Sequence, residues 1–162
     1  RTLLVPAPLV PGIVVVDGDE AHHGRTVLRL AVGDAVRLAD GAGLAGTGAV
    51  IEIARDRLSV RVDQVAAVPN DPAALLTVAV AAPKGDRFTD LVRQLTELGV
   101  GAILPLRCER GERLPGLDRA HRVAAEALKQ CRRGFLPTIG PVVDFSTLAA
   151  LPGRRIVLDR EG

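Results

Sequence analysis

Five residues, Val68-Pro69-Asn70-Asp71-Pro72, constrain this chain more than any other stretch. Neither proline can donate a backbone hydrogen bond, and each restricts the residue before it, so no strand or helix runs through. The Asn-Asp pair between them favours a turn. The break falls near residue 70 of 162, a length that fits one medium domain or two small ones, and the apolar pattern changes across it.

Residues 1–68 read mainly as β. Gly12–Val16 is a short β-branched run, and Asp34–Ala39 alternates up to the turn signal Asp40-Gly41. Ala49–Ile53 and Leu58–Val62 alternate around Arg55-Asp56, as the two arms of a hairpin do. One short helix interrupts them, capped by Asp19, with Glu20 at its positive end, and running to about Leu30. The segment is expected to be a small barrel or curled sheet with one helix inserted.

Residues 73–162 alternate strand and helix. Leu75–Ala82 is a continuous apolar run, which predicts a strand buried on both faces. Phe88, Leu91, Val92, Leu95 and Leu98 have helical spacing, and Gly99 supplies the stop. Ala102–Leu106 reads as a strand, Leu117–Arg133 as a long helix and Val142-Val143 as a strand fragment. Phe145–Leu151 reads as a short helix and Arg155–Leu158 as a further strand. This alternation predicts a parallel sheet with right-handed crossovers. The chain stops at Gly162, where such a sheet would ordinarily continue, so the domain is expected to be unfinished.

Composition narrows the function classes. With 48% apolar and 25% charged residues the chain is not intrinsically disordered. Aromatics are Phe88, Phe135 and Phe145 alone, so the core is aliphatic, and binding a single strand on rows of stacked rings is disfavoured. Cys108 and Cys131 form no C-x-x-C pair and read as thiols of a reducing compartment. No apolar run approaches a membrane span, and a soluble cytoplasmic protein is expected. Met is absent, the initiator included, so the natural start is expected to lie elsewhere.

Several chemical motifs fail on context. Gly41-Ala42-Gly43-Leu44-Ala45-Gly46 fits G-x-G-x-x-G, but a dinucleotide site needs a helix directly after the glycines. Here Thr47-Gly48 leads into an alternating run, so a glycine-rich hairpin is expected. His22 and His23 diverge by about 100° on a helix and His121 is the third histidine, so no metal site is expected. Neither Ser59 nor Ser146 sits in a G-x-S-x-G elbow.

Charge is more informative. The net charge is only +2, but eight bases face four acids between Arg107 and Arg133. Arg119, Arg122, Glu126, Lys129 and Arg133 fall on one helical face, opposite Val123, Ala124, Ala127, Leu128 and Cys131. Such a stripe either follows a phosphate backbone or is an ordinary solvated face with an Arg122–Glu126 pair. Arg107, Arg110 and Arg113 precede it, diluted by Glu109 and Glu112.

Several blocks, in order, resemble one family. His23-Gly24-Arg25-Thr26-Val27-Leu28-Arg29-Leu30, with Gly33-Asp34 and Asp40-Gly41, is similar to the H-x-x-x-V-L-R stretch of the ribosomal RNA small subunit methyltransferase E family. Lys84, Glu97-Leu98-Gly99-Val100, Pro105 and Glu109-Arg110 resemble its next block. Glu126-Ala127, Gln130, Arg133 and Pro137 resemble the E-A-x-x-Q-x-x-R-x-x-x-P block after that.

The resemblance implies an α+β architecture: a PUA-like β-barrel over 1–68, then an incomplete α/β SPOUT-type domain with a parallel sheet over 73–162. It implies S-adenosylmethionine-dependent methylation of uracil N3 in 16S ribosomal RNA, by a homodimer acting on the small ribosomal subunit, with no membrane partner. The family's G-P-E-G-G and L-G-x-R-x-L-R stretches, which announce its cofactor-holding C-terminal knot, do not occur here. No cofactor-binding residue is therefore carried over, and the 162 residues alone are expected to be inactive.

The catalytic residues are not fixed by the sequence. Losing the uracil N3 proton would be eased by a cation near the flanking carbonyls, and Arg110 and Arg133 are candidates by type. Glu97 is either a base or a helix-end residue. The expected RNA-gripping set is Arg25, Arg29, Lys84, Arg107, Arg110, Arg122 and Arg133, with Arg29 alternatively pinning the helix to the barrel. The competing class is an RNA-binding or dimerisation module without chemistry.

Overall fold

The computed structural model describes residues 1–69, 72–81, 86–108 and 116–158. Among these the order is β1 (Thr2–Leu4), β2 (Gly12–Asp17), α1 (Gly18–Thr26), β3 (Ala35–Ala39), β4 (Leu44–Ile53) and β5 (Arg57–Ala67). A single 3-10 turn (Pro72–Leu75) leads to β6 (Thr77–Ala81), α2 (Arg87–Leu98), β7 (Ala102–Leu106), α3 (Leu117–Cys131), β8 (Thr138–Ile139) and α4 (Phe145–Ala150).

The first five strands form one sheet in the order β1-β3-β4-β5-β2. β4 and β5 are the expected hairpin, with Ile53 opposite Leu58 across Arg55-Asp56. Both strands run longer than their alternation suggests, and the register shifts at Thr47/Gly48 and Val50/Glu52. Such irregularities increase twist, which curls the sheet over its apolar side. Leu3, Val5, Leu9, Leu38, Val50, Leu58 and Val60 fill the concave core, all at most 4% exposed. The G-x-G-x-x-G run ends in β4 with no helix after it, as a hairpin requires. β1 has no counterpart in the sequence reading: it is three residues long and pairs in parallel with β3, far along the chain.

α1 closes the mouth of this sheet. Gly24 lies against it so closely that a Cβ there would sit 2.7 Å from Leu58 Cδ2. The helix begins at Gly18, so Asp19 is inside its first turn and does not cap it. It also stops at Thr26, short of Leu30. Leu30 is 6% exposed in the core, and the chain reaches it through Arg29 in the left-handed region at φ 49°.

The second sheet, β6-β7-β8, is parallel throughout. α2 and α3 pack together and bury Phe88, Val92, Ala120 and Ala124 with Ile103 of β7. Gly99, at φ 84°, ends α2 as its position predicts. Other expectations shift. β6 is not buried on both faces: it is an edge strand, half-buried at its centre, and the preceding Leu75 and Leu76 are exposed. Thr138–Ile139 supply β8, while Val143 makes one bridge to Leu106. Arg155–Leu158 is not a strand; Ile156, Val157 and Leu158 are exposed and pair with no strand among the described residues. An apolar run records a capacity for burial, and its pairing partner decides the rest.

The sheets are laced together. Gly43 N donates to Gly134 O at 2.9 Å and Leu136 N to Gly41 O at 2.8 Å, around an Ala42–Phe135 bridge. Lys129 Nζ, on α3, lies 3.0 Å from Glu20 Oε2 on α1 and 2.7 Å from Glu126 Oε1.

Candidate nucleic-acid interface

Of the seven cations expected to meet RNA, Lys84 and Arg110 lie outside the described residues. Arg25 is on α1 and donates to the Arg55 carbonyl at the β4–β5 turn. Arg29, just past the helix, is exposed, whereas Leu30 beside it carries the burial. Arg107 is exposed after β7, with its backbone N–H bonded to Val143 O at 2.7 Å. Arg122 is exposed on α3. Arg133 is held by a bond from Nε to Glu97 O at 2.7 Å, and its guanidinium covers Gly99. Arg25 and Arg29 thus belong to the first sheet's helix, while Arg107, Arg122 and Arg133 belong to the second sheet and its helices.

The expected stripe along α3 does not exist as one face. Lys129 is 7% exposed and neutralised by Glu20 and Glu126, so Glu126 is engaged there. Arg119 is tied to Asp86. α3 ends at Cys131, and Arg132 turns left-handed at φ 58°, which takes Arg133 off the helical face. Helical spacing gives angular position only, and here the acid on α1 turned one member of the stripe into a buried tie. The opposite face packs as expected through Ala124, Ala127 and Leu128. Glu97 is exposed, pairs with Arg93 at 3.5 Å and uses its carbonyl to hold Arg133, which are the contacts of a helix-end residue.

Two residues the sequence reading passed over stand at the seam. Arg132 caps α3, and its carbonyl accepts from Arg37 Nη2 of β3 at 3.1 Å. Arg37 Nη1 is buried without a hydrogen-bond partner. Burial, and then the Arg132 charge, hold the Arg37 guanidinium below its ordinary pKa. The available signal was Arg132-Arg133-Gly134 directly after an amphipathic helix, a place where orphan carbonyls need donors. A cleft of about 360 Å³ opens here, lined by Val68, Pro69, Gly99, Arg132, Arg133 and Phe135 among others, with no carboxylate among the described residues that line it. A second, of about 200 Å³, is lined by Arg1, His23, Glu126, Lys129 and Arg132.

The nearby acids are occupied. Asp40 is buried at the β3–β4 turn; burial raises its pKa, but bonds from the Leu44, Ala42 and Leu9 amides outweigh that and leave it lowered. Asp34 is held low first by the Ala31 amide and then, against the opposing effect of burial, by its bond to Arg1 and that residue's charge. Asp144 caps α4 through Thr147 N at 2.7 Å, a bond that with Thr147 and Ser146 brings its pKa down to about 2. No group of three or more His, Cys, Asp or Glu among the described residues is placed to hold a metal ion.

A family model described as an RNA methyltransferase domain matches residues 70–162, and one described as an RNA methyltransferase PUA domain matches residues 16–63. The chain belongs to the RNA methyltransferase domain family. The curled first sheet is PUA-like, and the open parallel sheet after it is of SPOUT type. Over 150 residues the chain is 33% identical to the ribosomal RNA small subunit methyltransferase E of Mycobacterium bovis, a match covering 87% of the chain and 56% of the relative. For the Synechocystis protein of the same name the figures are 29%, 90% and 48%. The chain therefore spans about half the length of the curated relatives it matches. It also superimposes on the structure of the Neisseria gonorrhoeae ribosomal RNA small subunit methyltransferase E bound to S-adenosyl methionine. There the TM-score is 0.84 at 25% identity, over 93% of this chain and 65% of that one. No helix among the described residues is long and apolar enough to cross a membrane.

Proposed function

We propose that these residues are the RNA-engaging part of an S-adenosylmethionine-dependent methyltransferase that modifies uracil N3 of 16S ribosomal RNA as a cytoplasmic homodimer. The family match over 70–162 carries the reading, and the named relatives supply the substrate class. In this reading residues 1–68 are an RNA-contacting unit and 73–162 the methyltransferase domain. Arg25, Arg29, Arg107, Arg122 and Arg133, with Lys84 and Arg110, contact phosphates.

The described residues do not form a cradle for the cofactor. Among the described residues the larger cleft presents two guanidiniums and no carboxylate, the wrong charge for a sulfonium and an ammonium group. The carboxylate of the smaller cleft, Glu126, is spent on Lys129. No cofactor contact and no step of methyl transfer is assigned to them. That charge pattern favours a second reading for residues 1–162 taken alone, an RNA-binding or dimerising module without chemistry.

Two measurements separate the readings. In cells lacking the gene, 3-methyluridine in 16S ribosomal RNA should disappear and return when the complete gene is restored; unchanged 3-methyluridine sinks the substrate assignment. Calorimetry with S-adenosylmethionine should give heat with the complete protein and none with residues 1–162.

A further inference from the structure

The smaller cleft lies where the two sheets meet. β1 contributes Thr2 to it, α1 contributes His23, and Leu28 follows just beyond that helix. The last turn of α3 supplies Glu126, Lys129 and Gln130, and the cap residue Arg132 stands at its end. Its formal charges are largely matched. Lys129 sits between Glu20 and Glu126, and the lining Arg1 meets Asp34. Four other lining groups are not engaged. The Thr2 hydroxyl, the His23 imidazole, the Gln130 amide and the Arg132 guanidinium make no side-chain hydrogen bond or ion pair with any described residue. Thr2 is 7% exposed and His23 half-buried, so two of the four are shielded from bulk water. Shielded polar groups ordinarily find partners, and donors and acceptors left open in a recess are what a polar ligand completes.

Arg37 adds an independent observation. It stands opposite Thr2 across the β1–β3 ladder and donates Nη2 to the Arg132 carbonyl, while its Nη1 is buried with no partner among the described residues. Arg132 itself holds φ 58°, where glycine is at ease and a longer residue is not, so its side chain is kept against a backbone cost. Size and chemistry narrow the ligand. About 200 Å³ falls below the roughly 300–1,000 Å³ of sites for drug-sized molecules, so a single ring system fits. Thr2, His23 and Gln130 each offer both a donor and an acceptor, the mixture that the edge of a nucleobase also presents. Leu28 gives apolar surface for the face of such a ring, and the exposed guanidinium of Arg132 suits the attached phosphate.

We propose that this cleft receives one unpaired nucleotide of the RNA other than the target, its base edge on Thr2, His23 and Gln130 and its phosphate on Arg132. The inference rests on the RNA reading above and adds a place where sequence is read, distinct from the cations that grip phosphates. A base seated here touches α1 and α3 at once, so it registers the RNA against both parts of the molecule. A free nucleoside monophosphate offers the same groups, and the test separates the two sources.

The test uses the complete protein and a labelled single-stranded oligonucleotide spanning the target uridine of 16S ribosomal RNA, with binding followed by anisotropy across a salt series. A companion set carries an abasic ribose at each position in turn, which removes one base and keeps its phosphate. Gln130 is exposed, so Gln130→Ala should leave melting unchanged. It should weaken binding of the intact oligonucleotide about threefold to tenfold, the loss expected for a hydrogen bond. The salt slope should stay as in the wild type, because a base contact releases no counterions. At one position other than the target, the abasic loss seen with the wild type should vanish in Gln130→Ala, since both changes remove the same interaction. Arg132→Gly should instead lower the slope of log affinity against log salt by about 0.7, the value for one lost single-strand phosphate contact. Abasic losses that are equal in wild type and Gln130→Ala at every position overturn the cleft while sparing the general RNA reading. Failure of the wild type to bind any ribosomal oligonucleotide overturns both. The four nucleoside 5′-monophosphates should not displace the oligonucleotide at about 1 mM, and displacement there would mark a free-nucleotide site and overturn the RNA assignment.

Discussion

The two sheets of this molecule solve burial in different ways. In the first, β3, β4 and β5 each have a neighbour on both sides, and one aliphatic cluster fills the concave face beneath α1. In the second, three parallel strands carry a smaller cluster, and Leu75, Leu76, Leu98, Phe145 and Ile156–Leu158 stay exposed. A curled antiparallel sheet covers its own apolar face, because the hairpins that build it bring partners from nearby in sequence. An open parallel sheet depends on crossovers and on further elements to cover its flanks. The contrast suggests that the first sheet is the stable platform and the second the part that responds to its surroundings.

The largest effect that would break this contrast lies in the first core. Leu58→Ala removes a side chain 1% exposed beneath Gly24 and should cost about 3 kcal/mol of unfolding free energy by urea titration. Leu98→Ala, at 62% exposure in the second region, should change stability by less than about 0.5 kcal/mol. Equal losses at the two sites would remove the distinction.

The tie between the regions comes next. Lys129→Met leaves the Glu20 carboxylate at a part-buried site with, among the described residues, only the Leu4 amide as a donor. The loss should be about 2 kcal/mol, below that for a fully buried pair because Glu20 retains some solvent. Amide exchange should then quicken in β6 and β7 more than in β3 to β5, and uniform quickening would mean that the regions unfold as one.

The smallest effect sharpens the first region alone. Asp40 Oδ1 accepts from Ala42 and Leu44, and Oδ2 from Leu9. Asp40→Asn keeps one acceptor but turns an NH2 toward the Leu9 amide, at a cost of about 1 kcal/mol. Because the folded carboxyl is lowered from the ordinary 3.8, its stabilisation is complete above that value and disappears as pH falls through the folded pKa. The stability gap between wild type and variant should therefore be larger near about pH 6 than near about pH 3. A gap that widens in acid would contradict the assigned network.

Much of this architecture was legible before any coordinates. The hairpin around Arg55-Asp56, the α2 face ending at Gly99 and the parallel order of β6 and β7 all follow from local chemistry: alternation, helical spacing and a left-handed glycine. Misread elements share another cause. β1 is three residues and pairs with a distant strand, Arg155–Leu158 lacks a partner among the described residues, and β8 falls at Thr138–Ile139 instead of Val142-Val143. In each, the outcome was set by which strand stood alongside.

The candidate site divides along the same line. Sequence alone supplied an arginine-rich segment and the family blocks, because residue type and order are all that those signals need. Whether a given cation faces solvent, an acid or a cleft was decided by tertiary structure. Lys129 was buried by a glutamate more than a hundred residues away, and Arg37 and Arg132 became neighbours only when α3 docked beside β1. Charge is carried by the residue, but its neutralisation depends on distances between residues that sequence does not bring together.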